Sequence, residues 1–258
     1  MNPSLKRALR NRERVIGGWL MFGHTGIAEI MVQAGFDWIT IDLEHSVIGI
    51  ETVQSLVQVI DLAGGCPLVR VTSNDADLIK RVMDAGAHGV IVPMVNSASE
   101  AHRAVAAVKY PPDGARGVGL GRAHAYGARF DGYFSSANRE SIVILQIEHR
   151  DAVLALESIV EVPGVDGIIV GPYDLSCSIG QPGKFDHPDV LAAERRIVEV
   201  AAARGVAAGL HVVTPSPEGV KRAWERGYSF AAYGADMLFL TWSCRAAMET
   251  LRAPEPSR

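Results

Sequence analysis

Short apolar runs alternate with longer amphipathic stretches along the whole chain. The runs Ile16–Met21, Trp38–Asp42, Leu68–Val71, Gly89–Val92, Ile142–Ile147, Gly167–Val170, Ala207–His211 and Ser229–Tyr233 read as strands. Between them, Ile27–Ala34, Val53–Leu62, Ala76–Asp84, Ala98–Val108, Ala152–Ile159, Leu191–Ala203 and Pro217–Arg226 carry apolar residues at helical spacing. Gly35, Gly86, Gly205 and Gly227 stand where helix C-caps want glycine. Strands apolar on both faces imply a sheet covered on both sides, hence a parallel one. About eight such βα units favour a closed (β/α)₈ barrel, with an open doubly wound sheet as the alternative.

One interval breaks this rhythm. Tyr110–Asn138 is rich in glycine, aromatic residues and arginine and shows no clear period. Its Gly117-x-Gly119-x-Gly121 run follows a proline turn rather than a strand, and Arg122 stands where a nucleotide fingerprint wants its last glycine. A loop of this length in a barrel is functional or an interface. No linker or internal repeat divides the chain, so residues 1–258 read as a single domain.

Composition narrows the classes of function. With 258 residues, 48% hydrophobic and 21% charged, the chain can bury a large core. The net charge of −4 argues against nucleic-acid or membrane-surface partners. No apolar run is long enough to span a bilayer, and the basic, polar N-terminus lacks a signal peptide's apolar segment, so a cytoplasmic protein is expected. Cys66, Cys177 and Cys244 are widely spaced and fit reduced, buried thiols better than a disulfide or zinc framework.

In a barrel, chemistry gathers at the C-terminal ends of the strands. There the sequence places Asp42-Leu43-Glu44-His45, Arg70, Gln146-Ile147-Glu148-His149, Gly171-Pro172-Tyr173-Asp174 and His211. Glu148 and Asp174 on neighbouring strands would repel unless one is protonated or a cation lies between them. A hard divalent ion such as Mg²⁺ or Mn²⁺ answers that; two solvated rim acids are the alternative. Arg70 suits a substrate carboxylate or a developing enolate, or else a salt bridge to Asp42 or Glu44. His45 suits a general base or a structural histidine. Asp84, at a helix end, is placed to orient that histidine or simply to lie on the surface. None of Lys6, Lys80, Lys109, Lys184 and Lys221 ends a strand, which disfavours an imine route. No Gly-x-Ser-x-Gly elbow is present either.

Asp42-Leu-Glu-His45, Arg70, Gln146-Ile-Glu148 and the run Gly171-Pro-Tyr-Asp-Leu-Ser-Cys-Ser-Ile-Gly180 together resemble the metal-dependent (class II) pyruvate aldolases of the HpcH/HpaI aldolase/citrate lyase family. The resemblance runs from about Val15 to about Leu240 and implies a (β/α)₈ barrel, usually a hexamer built as a trimer of dimers that exchange a C-terminal helix, here about residues 237–252. By position it implies that Glu148 and Asp174 ligate Mg²⁺, Mn²⁺ or Co²⁺. Gln146 and the N–H groups around Tyr173 and Asp174 would bind the substrate carboxylate. Arg70 would stabilise the enolate, and His45, made more basic by Asp84, would move the proton. The implied reaction splits a 4-hydroxy-2-oxo acid into pyruvate and an aldehyde. A CoA-thioester lyase of the citramalyl or malyl type is the runner-up, and a non-catalytic barrel subunit the third reading. The resemblance also places Gly117–Tyr133 near the barrel mouth. His211 is unusual for the family and suits a hydrogen-bond donor behind the site.

Overall fold

β-branched runs with no polar face can be satisfied only when both sides of the sheet are covered, and the computed structural model, which describes residues 3–253, meets that demand by closure. Strands β1 (Val15–Leu20), β2 (Trp38–Asp42), β3 (Pro67–Arg70), β4 (Gly89–Val92), β5 (Ile142–Ile147), β6 (Gly167–Val170), β7 (Ala207–Val212) and β8 (Phe230–Ala235) pair in sequence order, all parallel. β8 closes the barrel on β1, Val15 opposite Phe230. Alternate side chains fill the lumen, where Trp19, Trp38, Leu68, Ile91, Ile144 and Phe230 form one apolar cluster. The opposite faces, including Ile39, Val69, Val90, Leu145 and Ile168, pack on the helices.

The helices are α1 (Pro3–Asn11), α2 (Thr25–Gln33), α3 (Ile50–Leu62), α4 (Ala76–Asp84), α5 (Ala98–Val108), α6 (Phe130–Glu140), α7 (Arg150–Leu154), α8 (Leu156–Val160), α9 (Pro172–Ser178), α10 (Pro188–Arg204), α11 (Pro217–Glu225) and α12 (Asp236–Arg252). Asp75 caps α4 by accepting from the Leu78 N–H, and Ser97 caps α5 through the Glu100 N–H. Gly35, Gly86, Gly205 and Gly227 follow α2, α4, α10 and α11 with positive φ, as the C-cap reading expects.

Three expectations need correction, and one helix goes beyond them. The polar N-terminus is helical: Leu5, Ala8 and Leu9, at i, i+3 and i+4, are buried against the lumen cluster and close the floor of the barrel. The stretch Ala152–Ile159 is two helices that meet at Ala155. The interval Tyr110–Asn138 contains most of α6 and lies away from the mouth. It follows the C-terminal end of α5 and leads into β5, so it occupies the face where strands begin. There Arg116 pairs with Asp84 (2.5 Å) and Arg122 with Asp61 at the end of α3 (2.7 Å). Of the three free cysteines, only Cys66 is buried; Cys177 on α9 and Cys244 on α12 are exposed. No helix among the described residues is long and apolar enough to cross a membrane.

Candidate active site

The sequence brings Asp42 and Arg70 to adjacent strand ends, in register. Arg70 lays a fork on Asp42, donating from Nε to Oδ1 at 3.0 Å and from Nη2 to Oδ2 at 2.7 Å. Its remaining nitrogen, Nη1, lies 3.0 Å from Glu44 Oε2. Arg70 therefore makes both of the salt bridges weighed for it, while its guanidinium carbon also lies 5.1 Å from the Trp19 ring centre. Asp42 Oδ1 accepts the Glu44 N–H at 2.9 Å and the His45 N–H at 3.4 Å, which shapes the turn after β2. Burial alone would raise Asp42, but the Arg70 fork and those N–H groups outweigh it and hold the carboxyl below its ordinary value.

Glu44 was legible in the sequence only as a salt-bridge partner. The turn after β2, held by Asp42 Oδ1, brings it beside Arg70, and the structure makes it part of the site. Burial, then the nearby charges of Glu148, Asp42 and Asp174, push its carboxyl up to about 7 against the pull of Arg70. His45 stands outermost, its side chain 62% exposed and its Nε2 3.9 Å from Glu44 Oε2.

On the other side of the mouth, β5 delivers Gln146 and, just past its end, Glu148. Both are buried, and Gln146 Nε2 donates to Glu148 Oε2. The second oxygen, Oε1, accepts the Met94 N–H at 2.8 Å. Burial and the Asp174 charge still leave Glu148 raised above its ordinary value. Asp174 lies exposed in the first turn of α9, and Pro172 begins that helix. The N–H groups of Tyr173 and Asp174 fall among those a helix start leaves without intrahelical partners. Tyr173 projects outward and meets Phe185 edge-on at 4.8 Å.

These residues fit a hard divalent ion. The carboxylates of Glu148 and Asp174 supply oxygen donors only. A Cβ on Gly171 would lie 2.7 Å from Glu148 Oε2 and 3.0 Å from Gln146 Nε2, so glycine keeps the space beside the carboxylate open. Among the described residues, no three of His, Cys, Asp and Glu cluster as a metal site.

Arg70, His45, Gln146, Glu148, Tyr173 and Asp174 thus share one face of the barrel. Asp84 does not join them. It ends α4, and helices of a βα barrel finish where strands begin, so within one chain it faces away from His45 and is paired with Arg116. His211 occupies the mouth at the end of β7, stacked on Trp19 with ring centres 4.5 Å apart.

Comparison with known proteins identifies the family and supports the barrel fold. A family signature described as HpcH/HpaI aldolase/citrate lyase matches residues 16–241. The 2-keto-3-deoxy-L-rhamnonate aldolase of Klebsiella pneumoniae is 39% identical over 93% of this chain and 89% of its own. The 4-hydroxy-2-oxo-heptane-1,7-dioate aldolase of Salmonella heidelberg is 41% identical over 95% of this chain and 93% of its own. A crystal structure of an HpcH/HpaI aldolase/citrate lyase family protein from Burkholderia cenocepacia, 36% identical, superposes with a TM-score of 0.93 over 98% of this chain and 100% of that one.

Proposed function

This chain belongs to the HpcH/HpaI aldolase/citrate lyase family, and from that premise we propose that it is a divalent-metal-dependent aldolase whose working parts are the mouth residues described above. It cleaves hydroxy-oxo acids to pyruvate and an aldehyde, as its relatives' names support. The single observation that carries the assignment of the site is the juxtaposition of Arg70, held by Asp42 and Glu44, with the buried Glu148 and neighbouring Asp174 at one barrel mouth.

Glu148 and Asp174 would hold Mg²⁺, Mn²⁺ or Co²⁺. Bound there, such an ion supplies Lewis acidity toward a 2-oxo acid. Gln146 and the first-turn N–H groups of α9 orient the substrate carboxylate. Arg70 provides positive charge where the ketone oxygen becomes an enolate; its fork on Asp42 fixes its direction before the substrate arrives. In the cleavage direction, the C4 hydroxyl loses its proton, the C3–C4 bond breaks, and its electron pair passes to the enolate of pyruvate. His45, exposed beside Glu44, is placed to take that proton and later to return one to C3.

For Asp84 to act on His45, a second copy of the chain must bring it. The described surface supports association. α12 buries only Asp236 and leaves Leu240, Trp242, Met248 and Leu251 exposed, and Val118, Leu120 and Tyr126 project from the opposite face. A hexamer built as a trimer of dimers that exchange α12 is the assembly these surfaces suit, and the cytoplasm is its expected location.

Exchange of the pyruvate methyl protons in D₂O tests the reading without a guess about the aldehyde. Loss of the methyl proton signal with added Mn²⁺, abolished by EDTA, is the expected result. Folded protein that exchanges nothing with any divalent ion would move the thioester lyase to the front.

A further inference from the structure

An aromatic column climbs the barrel lumen. Phe230 meets Trp38 edge-on at 6.3 Å, Trp38 meets Trp19 edge-on at 6.3 Å, and His211 lies nearly flat on Trp19, 4.5 Å away and 23° from parallel. The column is packed without slack. A Cβ on Gly17 would lie 2.0 Å from Trp38, and one on Gly209 would lie 2.3 Å from Phe230. Trp19 is therefore pressed from below by Trp38 and covered by His211, while Arg70 lies 5.1 Å from the same indole.

The structure assigns His211 a positioning role: it clamps the Trp19 indole, and that indole is the platform from which Arg70 addresses the substrate. This rests on the aldolase reading of the site.

Three features support a role exercised through the face of the ring. Nε2 of His211 is shut off from solvent with no hydrogen-bond partner. The ring hydrogen-bonds the backbone of Gly234, and among the described residues no side chain hydrogen-bonds its Nε2. Burial, then the charge of Arg70, also pull its pKa down to about 4, so at neutral pH the clamp is uncharged and does not repel the guanidinium it helps to place. Arg70 in turn is tied on its far edge to Asp42 and Glu44, so the indole supplies the face that those carboxylates leave open.

A double-mutant cycle on pyruvate exchange tests this. His211→Ala and His211→Leu should each lower the exchange kcat about tenfold or more, by the sensitivity of catalysis to misplacement. KM for pyruvate and the Mn²⁺ affinity should change far less. His211→Phe, which keeps a flat ring, should stay within about threefold of wild type. In an Arg70→Ala background, His211→Leu should have almost no further effect. A full loss in that background, or His211→Phe as damaged as His211→Leu, would overturn the role. The same variants titrated with oxalate in the Mn²⁺-loaded protein give a readout that needs no turnover. Loss of oxalate affinity coupled between His211 and Arg70, in a wild type that exchanges nothing, would sink the aldolase reading and keep the clamp. Uncoupled losses would sink the clamp alone.

Discussion

Arg70 and Asp42 face each other across adjacent parallel strands through two hydrogen bonds of 3.0 and 2.7 Å, in a place where Asp42 has no solvent contact and Arg70 almost none. Such a pair contributes direction more than stability, because desolvating both charges offsets most of their attraction. Breaking it from one side is another matter.

Arg70→Ala leaves Asp42 buried and unpaired, so unfolding free energy should fall by about 3–5 kcal/mol, alongside a loss of turnover of several orders of magnitude. Arg70→Lys keeps the charge but not the fork and should recover stability better than activity. Urea unfolding and exchange rates on the same samples check both halves. If Arg70→Ala lost its metal affinity as the main effect, the arginine would be a structural support for Glu148.

Glu44 makes stability depend on pH in the metal-free protein. Its folded value of about 7 lies above the ordinary 4.5, so between those values the folded chain binds more protons than the unfolded one. The contribution is full below pH 4.5 and is lost as pH rises through about 7. Glu44→Gln should flatten that part of the stability profile and gain most on wild type near pH 8. Thermal melts in EDTA across pH 4.5–8 measure it; an unchanged slope would place the proton elsewhere.

Metal should stabilise the fold by mass action. At a hundredfold excess over its Kd, an ion bound only to the native state adds about 2.7 kcal/mol. Mn²⁺ should therefore raise the melting temperature of EDTA-treated protein, and Glu148→Gln or Asp174→Asn should abolish the rise. A rise that survives both substitutions would put the ion at another site.

Gly171→Ala is a narrower probe. Its φ of −91° suits alanine, yet the new methyl carbon would lie 2.7 Å from Glu148 Oε2. Metal affinity should fall tenfold or more with the barrel intact by circular dichroism. Normal Mn²⁺ titration would mean that Glu148 turns aside without loss.

At the opposite end of the barrel, burial and then Lys6 pull Lys109 down to about 7, while its amine donates to Ser141 and Asn138. The unfolded chain holds its proton up to the ordinary 10.5, so this group makes the protein more stable as pH rises from about 7 to 10.5. Lys109→Met should remove that slope in urea titrations over this range.

The barrel was readable because β-branched runs such as Gly167–Val170 have no polar face and demand cover on both sides. The ends of α2, α4, α10 and α11 were readable because Gly35, Gly86, Gly205 and Gly227 mark their C-caps. α6 was hidden: Phe130, Tyr133, Phe134 and Ala137 keep helical spacing, but Gly132, Ser135 and Ser136 dilute the signal. The location of Asp84 and of the 110–138 segment was available from topology alone, since a barrel's helices end at the face where its strands begin. Glu44 was not so readable, because the turn after β2 rather than strand period sets its direction. The aromatic column was not readable, because a pattern of apolar positions does not say which rings meet.

The unequal exposure of the three thiols gives the protein a ready chemical handle. Burial pushes the Cys66 thiol up to about 12 and keeps it inert, whereas Cys177 is exposed three residues beyond Asp174, one helical turn along α9. With Cys244 replaced by serine, a thiol-reactive fluorophore would attach at Cys177 alone and report, in real time and without a coupled assay, when the mouth of the barrel fills.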